Sequence, residues 1–478
     1  MIQKLNTNWV KIPSINHHYF WLSIILIFKL IVFIFFNSQF QLYVDGVEGW
    51  IATTADTNEY YEPIKEWVNG NGLSSACRMP GLLPILGPLY FLFSDLWVNN
   101  SVVILQFLTS CISTFLLAKI CYQYFPKVPT ILIVIIILST PFLSIYQHYA
   151  SSDSFSTSFM IIGAYFFSRY RLSKPTNQKV KFILLSAIFL IWSTYLRQFN
   201  LWIFGVFGLQ LLINWIKGNK SSFYYGLIYL SAAVLLILPW TLNNFKNGNK
   251  VLLVAPISEC FVEYPKYQTE LRKLPIAWGG KFMVWGKEAE WFLRKTMNEN
   301  EFPFSNKIMT ETYNLDSLKL LRNASLKLFY ESQNMNSNEK YKLERYIIDR
   351  STKYRVDYIK ENPLDYYLTN KFLLFKKFLF SKEVVLPFPA LSEMKNIHFV
   401  IKLLAILTTT SILVIGLCTS LIFFKKLPFL NIIIWGYIFI IVGFLGLVEY
   451  RYWATIFPFI IIFAAKGIYL FYLKTVKS

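Results

Sequence analysis

Residues 21–36 read WLSIILIFKLIVFIFF and decide the fold class of the chain. With its apolar flank, this run is long enough for a helix to cross a hydrocarbon layer of about 30 Å. Lys4 and Lys11 precede it, and residues 37–40 (NSQF) offer no small-residue cleavage site. We therefore expect a retained signal anchor. Lys29 lies near its centre, where an unpaired ammonium group is costly, so we expect this side chain to face the bundle interior.

The rest of the chain repeats this pattern. Hydrophobic residues make up 55% of its 478 positions and charged residues only 15%, which excludes an ordinary soluble domain. Apolar runs of about 17 to 24 residues, each sufficient to span a bilayer, recur along the chain. The sequence predicts an all-α integral membrane protein, a polytopic bundle of about ten transmembrane helices with juxtamembrane helices outside. The runs begin near Tyr19, Asn99, Thr130, Ser154, Phe182, Phe199, Phe223, Ile397, Phe429 and Tyr452.

A further apolar run, residues 82–97, fixes the predicted topology. It contains Pro84, Gly87 and Pro88. If this run lies at the interface, the basic connections between spans all fall on the side of the N-terminus, as the positive-inside rule requires. If it crosses the bilayer, the basic clusters from Lys119 onward change sides. We therefore predict an interfacial helix here and both termini in the cytoplasm.

This topology predicts three parts. Residues 1–240 form an N-terminal transmembrane module with a catalytic external loop at 37–98. Residues 241–396 form an external, mainly helical domain, and 397–478 form the C-terminal transmembrane helices. Two patterns in the second part can be checked. Asn336 and Glu339 have the spacing of a capping box, and Asn362-Pro363 ends the same helix. Apolar residues at helical spacing over 364–379, with lysines alongside, fit a helix on the membrane surface or one packed against the domain.

The net charge and the cysteine and histidine residues limit the classes of function that fit the chain. The formal net charge of +20 is spread over both predicted sides, which favours contact with anionic lipids or phosphates over nucleic acid. There is no internal repeat and no nucleotide-binding glycine loop. The five cysteines lack a CxxC motif, and the external pair Cys77 and Cys260 forms either a disulfide or two free thiols. The four histidines are too scattered to indicate a metal site.

Several short motifs, each weak by itself, follow one another along the chain in a definite order and spacing. Together they resemble the GT-C glycosyltransferases, and more narrowly the branch that holds the protein O-mannosyltransferases and the lipid A aminoarabinose transferase. The resemblance covers the hydrophobic frame from end to end and thins out between about residues 255 and 336. The motifs are Asp56-Thr57-Asn58-Glu59-Tyr60, Arg78-Met79-Pro80-Gly81, Ser151-Ser152-Asp153, Tyr195-Leu196-Arg197, Leu238-Pro239-Trp240, Glu361-Asn362-Pro363 and Glu449-Tyr450-Arg451-Tyr452.

The resemblance implies a hexosyl- or pentosyltransferase that moves a sugar from polyprenyl phosphate to an acceptor at the external face, with inversion. The acceptor would be lipid A, another cell-envelope glycan or an exported protein. An external aspartate is the general base in that family, which implies this role for Asp56. A carboxyl group near apolar surface can also have its pKa raised toward the working pH. The alternative for Asp56 is to cap a juxtamembrane helix.

Asp153 corresponds to a second acidic residue of the same cavity in that family. The resemblance implies that it orients the acceptor or, with Asp56, holds a divalent cation. Its position after Ser151 and Ser152 suits the first turn of a helix equally well, where a carboxylate complements the helix dipole.

The remaining candidates bind substrate. A polyprenyl phosphate leaving group is anionic, and Arg78, Arg197 and Arg451 could bind it through paired hydrogen bonds. An interfacial arginine can instead reach lipid head groups. Arg451 could also form a structural ion pair with Glu449. Tyr60 and Glu449 complete the predicted substrate-binding set.

Two other functions fit the hydrophobic frame. A transporter or flippase of lipid-linked sugars is disfavoured, because the predicted spans carry almost no charge and the polar clusters share one face. A polysaccharide polymerase or ligase would use the same donor and rely more on the arginines. The abundance of Ile, Lys, Asn and Phe indicates a bacterium of low GC content, and thus the bacterial inner membrane.

Overall fold

The computed structural model is built almost wholly from helices. It describes residues 15, 17–43, 47–53, 57–72, 78–140, 144, 146–246, 265–279, 287–295, 297–298, 303, 308–380, 397–445 and 450–477. The α-helices, numbered in chain order, are α1 (His18–Tyr43), α2 (Thr57–Val68), α3 (Leu83–Leu92), α4 (Asp95–Tyr124), α5 (Thr130–Leu138), α6 (Asp153–Leu172), α7 (Thr176–Leu196), α8 (Leu201–Ile216), α9 (Lys220–Lys246), α10 (Lys266–Ala277), α11 (Lys287–Leu293), α12 (Leu315–Glu331), α13 (Ser337–Glu361), α14 (Asn370–Leu379), α15 (Ile397–Ile422), α16 (Pro428–Asn431) and α17 (Phe457–Lys477).

Shorter elements connect these helices. The strands β1 (Val47–Glu48) and β2 (Ile51–Ala52) form an antiparallel hairpin with Val47 opposite Ala52. Short 3-10 helices occur at Pro80–Leu82, Tyr146–His148, Gln198–Asn200, Ser332–Asn334 and Tyr450–Thr455. Segments of π-helix occur at Asp365–Thr369, Ile432–Gly436 and Phe439–Phe444.

The helices confirm the predicted all-α, multi-pass membrane fold. Within the described part of the chain, seven helices are long and apolar enough to cross a bilayer. Each of these helices begins within a few residues of the start of a predicted apolar run. They are His18–Ser38, Asp95–Tyr124, Thr176–Leu196, Gln198–Ile216, Lys220–Lys246, Phe399–Ile422 and Phe457–Thr475.

The other three predicted runs also begin helices, but these differ from a simple apolar span. Helix α5 has only nine residues. Helix α6 has twenty residues, and its hydroxyl side chains Ser154, Ser156 and Thr157 are buried within the protein. The segment Pro428–Gly443 is a shorter apolar helix that contains π-helical turns.

The run at 82–97 folds as two pieces. Helix α3 ends at Leu92 and α4 begins at Asp95. Ten residues of α-helix rise about 15 Å, half the thickness of a bilayer core. This length fits the predicted interfacial helix, but α5, with nine residues, is as short, so the predicted topology stays a prediction.

The chain divides into two compact units. Unit 1 comprises Met1–Leu253, Lys382–Trp435 and Trp453–Ser478, and unit 2 comprises Val254–Ser381 and Gly436–Tyr452. In unit 1, α6 is buried along most of its length and packs against α4 and α7. A Cβ on Gly163 would lie 2.7 Å from Cγ of Leu190, so the close approach of α6 and α7 depends on this glycine. The predicted domain limits at 241 and 396 stay a prediction.

Lys29 faces the interior of unit 1, as the sequence predicts. Its side chain is buried, and Nζ donates a hydrogen bond to Oγ of Ser144 at 3.1 Å. Both residues line a cavity of about 240 Å³ among α1, α4, α5 and α15, together with Thr114, Thr140 and several apolar side chains. The hydroxyl groups lower the cost of placing an ammonium group at this depth.

Unit 2 has its own hydrophobic core. Trp291, Tyr313, Leu321, Ile347 and Tyr354 are buried in one cluster. Helix α13 packs against α10 and α12 along this cluster. The predicted limits of α13 are confirmed: the Asn336 side chain accepts a hydrogen bond from the Glu339 backbone at 2.8 Å, and the helix ends at Glu361.

Candidate functional site

The residues on either side of Asp56 in the sequence are held at Ala150. The Ala52 carbonyl, at the end of β2, accepts a hydrogen bond from the Ala150 N–H at 3.0 Å. Oγ1 of Thr57, the first residue of α2, donates to the Ala150 carbonyl at 3.1 Å. Ala52 and Thr57, which lie on either side of Asp56 in the sequence, therefore both contact Ala150, three positions before Asp153. Asp56 itself lies outside the described residues.

Asp153 and Arg197 form an ion pair. Asp153 is the first residue of α6, and Arg197 caps the C-terminal end of α7 with an extended backbone. An Arg197 terminal nitrogen donates to Asp153 Oδ2 at 2.5 Å, and Ser151 Oγ donates to the same oxygen at 3.1 Å. The two side chains are only 16% and 8% exposed, so water screens the pair little. The structure thus brings two predicted site residues together.

Arg78 forms a second ion pair, with Glu59, which joins the Arg78-Met79-Pro80-Gly81 motif to the motif that begins at Asp56. Its Nε donates to Oε2 of Glu59 at 2.7 Å, and a terminal nitrogen contacts the same oxygen. The Arg78 guanidinium also lies 4.9 Å from the centre of the Tyr60 ring. The Tyr60 hydroxyl accepts a hydrogen bond from Ser152 Oγ at 3.1 Å. Tyr60 therefore connects Arg78 to the residue next to Asp153.

Gly81 fixes the approach of the Arg78 motif to the end of α7. A Cβ at Gly81 would lie 2.6 Å from the carbonyl carbon and oxygen of Tyr195. Nε1 of Trp192 donates to the Gly81 carbonyl at 2.9 Å. No L side chain fits at this position unless the backbone moves, which gives a physical reason for the glycine in the Arg-Met-Pro-Gly sequence.

Asn200 belongs to the same network, and the sequence analysis missed it. Its side-chain nitrogen donates to Ser156 Oγ at 2.7 Å and to the Ser193 carbonyl at 3.2 Å. Its side-chain oxygen accepts from Thr455 Oγ1 at 2.9 Å. Asn200 therefore joins α6 and α7 to the segment Tyr450–Thr455. Its sequence signal is a polar residue at the start of an apolar helix.

The C-terminal candidates cannot be placed as side chains. Glu449 lies outside the described residues, and Arg451 is described as backbone within Tyr450–Thr455. Their predicted contacts with substrate, or with each other, stay predictions. The same holds for a disulfide between Cys77 and Cys260, which also lie outside the description.

His148 contributes no positive charge near this network at neutral pH. It lies in the turn Tyr146–His148, and Nδ1 is 3.3 Å from the Trp50 carbonyl oxygen. Burial lowers the pKa of His148 to about 4, against the opposing effect of hydrogen bonds to backbone carbonyls. An imidazole with this pKa is neutral at pH 7, so among the described residues of this network the cationic groups are arginines.

The described residues do not assemble a metal site. Among them, no group of three or more His, Cys, Asp or Glu side chains lies close enough to hold an ion. One oxygen of Asp153 already binds Arg197, and a guanidinium group repels a nearby cation. Because Asp56 is outside the description, a divalent cation between Asp56 and Asp153 stays a prediction.

Comparisons with known proteins give one similar solved structure. No protein-family model and no curated protein matches the chain. The similar structure is the archaeal oligosaccharyltransferase AglB from Archaeoglobus fulgidus, in complex with an inhibitory peptide and a dolichol-phosphate. The identity is 11% and the TM-score 0.46, over 96% of this chain and 51% of that chain. The chain therefore spans about half the length of that protein.

Proposed function

We propose that the protein is a membrane glycosyltransferase that moves a sugar from a polyprenyl-phosphate donor to an acceptor hydroxyl at the external face of a bacterial inner membrane. The observation that carries this proposal is the meeting of distant motifs around residues 150–153. Thr57 and Tyr60 come from the first motif, Arg197 from the end of α7, and Gly81 packs against the same end.

The proposed reaction replaces one bond at the anomeric carbon by another and transfers one proton. The acceptor oxygen attacks the anomeric carbon from the face opposite the phosphate, so the configuration inverts. The bond between that carbon and the phosphate oxygen breaks, and polyprenyl phosphate leaves with the electron pair. The acceptor proton passes to the Asp56 carboxylate, which acts as general base.

The arginines are proposed to stabilise the negative charge on the leaving phosphate. A guanidinium has five N–H donors in a planar fork that matches phosphate oxygens. Glu59 and Asp153 each hold one arginine by a direct ion pair. Such contacts fix the orientation of the guanidinium before the donor binds, and donors fixed in advance stabilise developing charge best.

The contacts of Asp153 favour a positioning role. Its Oδ2 already accepts hydrogen bonds from Arg197 and from Ser151. Under this proposal Asp153 acts through Arg197, and Asp56 alone takes the acceptor proton. Asp153→Asn should then raise the KM for donor more than it lowers kcat.

The test is sugar transfer by the purified Asp56→Asn variant. The assay uses synthetic polyprenyl-phosphate hexoses and pentoses with cell-envelope acceptors, and it measures release of polyprenyl phosphate. Loss of a general base should lower the rate by about 10²- to 10⁴-fold. Asp95→Asn is the matched control, because Asp95 is an exposed carboxylate paired with Lys65 at 3.1 Å. Near-normal turnover by Asp56→Asn, on a donor that the wild type uses, would refute the proposal.

A further inference from the structure

Unit 2 carries an apolar face whose side chains are exposed in the part of the chain that the structure describes. It lies on residues 364–373, which comprise the π-helix Asp365–Thr369 and the first turn of α14. Leu364, Leu368 and Phe372 are 72%, 64% and 67% exposed, and Tyr367 is 62% exposed. Large apolar side chains this exposed, at a spacing of four residues, form a continuous stripe on a helix.

The opposite face of the same segment is anchored in unit 2. Leu374 and Phe378 are fully buried. The Asn370 side chain donates to the Ala277 carbonyl at 2.8 Å and to the Tyr358 hydroxyl at 3.1 Å. The inward face thus accounts for the folding of the segment, and the outward stripe needs a different explanation. An exposed stripe on a firmly held helix indicates a surface that contacts something else.

The surroundings of the stripe point to a lipid surface. Helix α14 packs against the π-helix Phe439–Phe444 of the same unit, whose residues are all apolar (FIIVGF). Phe439 in that helix is itself 64% exposed. The stripe therefore neighbours an element whose composition already suits hydrocarbon. This proximity favours a bilayer over a soluble protein as the occupant.

The charges beside the stripe fit anionic head groups. Lys371 and Lys376 lie on α14, whereas its third lysine, Lys377, donates to the Gly279 carbonyl at 3.0 Å. The segment 364–379 contains a single acidic residue, Asp365. Lys371 Nζ lies 5.0 Å from the centre of the Tyr366 ring. Lysines next to aromatic and aliphatic side chains are typical of helices that lie in the interface, where each basic residue is attracted to anionic lipid.

We propose that the stripe of residues 364–373 inserts among the head groups of a bilayer that contains anionic lipid, and that Lys371 and Lys376 contact those head groups. This holds unit 2 on the membrane surface by a contact separate from the transmembrane helices. The inference is independent of the proposed transferase activity.

The test places a nitroxide label on the full-length protein in vesicles. In a background without the five native cysteines, one variant carries the label at Phe372→Cys and another at Leu320→Cys. Leu320 is the matched control, because it is apolar, lies in the same unit and is 63% exposed. Accessibility to oxygen, which concentrates in lipid, is compared with accessibility to a water-soluble nickel chelate. The vesicles contain phosphatidylcholine alone or mixed with phosphatidylglycerol.

The expected result is a label at position 372 that oxygen reaches better than nickel, while the label at 320 shows the reverse. Phosphatidylglycerol should increase the depth at which the label at 372 lies in the bilayer, and the double substitution Lys371→Gln/Lys376→Gln should remove that increase. A label at 372 as accessible to nickel as the one at 320 would overturn the proposal, as would lipid contact at both positions. No response to phosphatidylglycerol would overturn the anionic part. Leu368→Cys, at 64% exposure, is the second probe if Phe372→Cys does not fold.

Discussion

The Arg197 guanidinium donates to the Asp153 carboxylate at 2.5 Å, across 44 residues of sequence. The contact joins the C-terminal end of α7 to the first residue of α6. A cation at a helix C-terminus and an anion at a helix N-terminus are each favoured by the helix dipoles. The pair therefore stabilises the junction of the two helices as well as fixing a candidate phosphate-binding group.

Asp153→Ala should destabilise the protein far more than loss of an exposed ion pair. Removing one partner of a buried pair costs about 3–5 kcal/mol, because the other charge loses its compensation. Lys65 and Asp95 form the exposed comparison, with side chains 30% and 66% exposed. Asp95→Ala should cost less than about 1 kcal/mol. Unfolding in detergent micelles measures both, and equal losses would contradict the buried-pair interpretation.

Arg78→Lys, Arg197→Lys and Arg451→Lys should each leave the protein folded and raise the KM for donor. Lysine keeps the positive charge but loses the planar fork that binds two phosphate oxygens. Arg171→Lys is the control, since Arg171 is exposed and bonds the Tyr124 hydroxyl at 3.0 Å at the other end of α6. If the donor KM is unchanged in all three variants, these arginines contact lipid head groups instead.

Local patterns in the sequence were sufficient for most of the helical frame. The apolar runs anticipate the seven long apolar helices, and the Asn336 capping box anticipates the start of α13. Lys29 could be placed inward because an ammonium group has few favourable surroundings at that depth. The end of α5 at Leu138 also has a signal, Ser139-Thr140-Pro141, because proline disfavours helix in the residue before it.

The contacts of the candidate site could not be read from the sequence. Tyr60 and Ser152 are 92 residues apart, and Asn200 and Thr455 are 255 apart. A hydroxyl or amide group accepts many partners, and the packing of whole helices selects one of them. Motif order indicates that such residues share a site but gives no distances. That is also why the ion pair of Arg197 with Asp153 was not predicted.

Gly81→Ala should destabilise the protein, whereas Gly205→Ala should not. A methyl group at Gly81 meets the Tyr195 backbone at 2.6 Å, and such overpacking costs about 1–3 kcal/mol. Nothing lies within 4 Å of the corresponding position at Gly205, inside α8, where alanine favours the helix by up to about 1 kcal/mol. Thermal unfolding in detergent compares the two. A Gly81→Ala variant as stable as Gly205→Ala would mean that the backbones can separate without cost.

The predicted topology can be tested with three reporter fusions. A reporter after Asp153 and one within 340–360 should report the external compartment, and one at Ser173 should report the cytoplasm. The prediction depends on α3, of ten residues, lying at the interface rather than crossing the bilayer. A cytoplasmic reporter after Asp153 would place the proposed site on the wrong side for a lipid-linked donor at the external face.

Asn200→Ala should lower both stability and activity, because one buried amide joins three parts of unit 1. The variant loses hydrogen bonds to Ser156, to the Ser193 carbonyl and from Thr455. Leaving a buried polar group without a partner costs about 1–3 kcal/mol. Thr455 also loses its connection to the end of α7, next to Arg197, so the KM for donor should rise.

Two further variants separate these effects. Asn200→Asp keeps an acceptor for Thr455 and loses the donors, so it should retain more donor affinity than Asn200→Ala at similar stability. Asn219→Ala is the matched control, because Asn219 is exposed and its side-chain oxygen accepts a hydrogen bond of 2.8 Å from the Ser221 hydroxyl. Its effect should stay within about 0.5 kcal/mol. If Asn200→Ala has the same stability and the same turnover of donor as Asn219→Ala, then Asn200 does not hold Thr455 at the site.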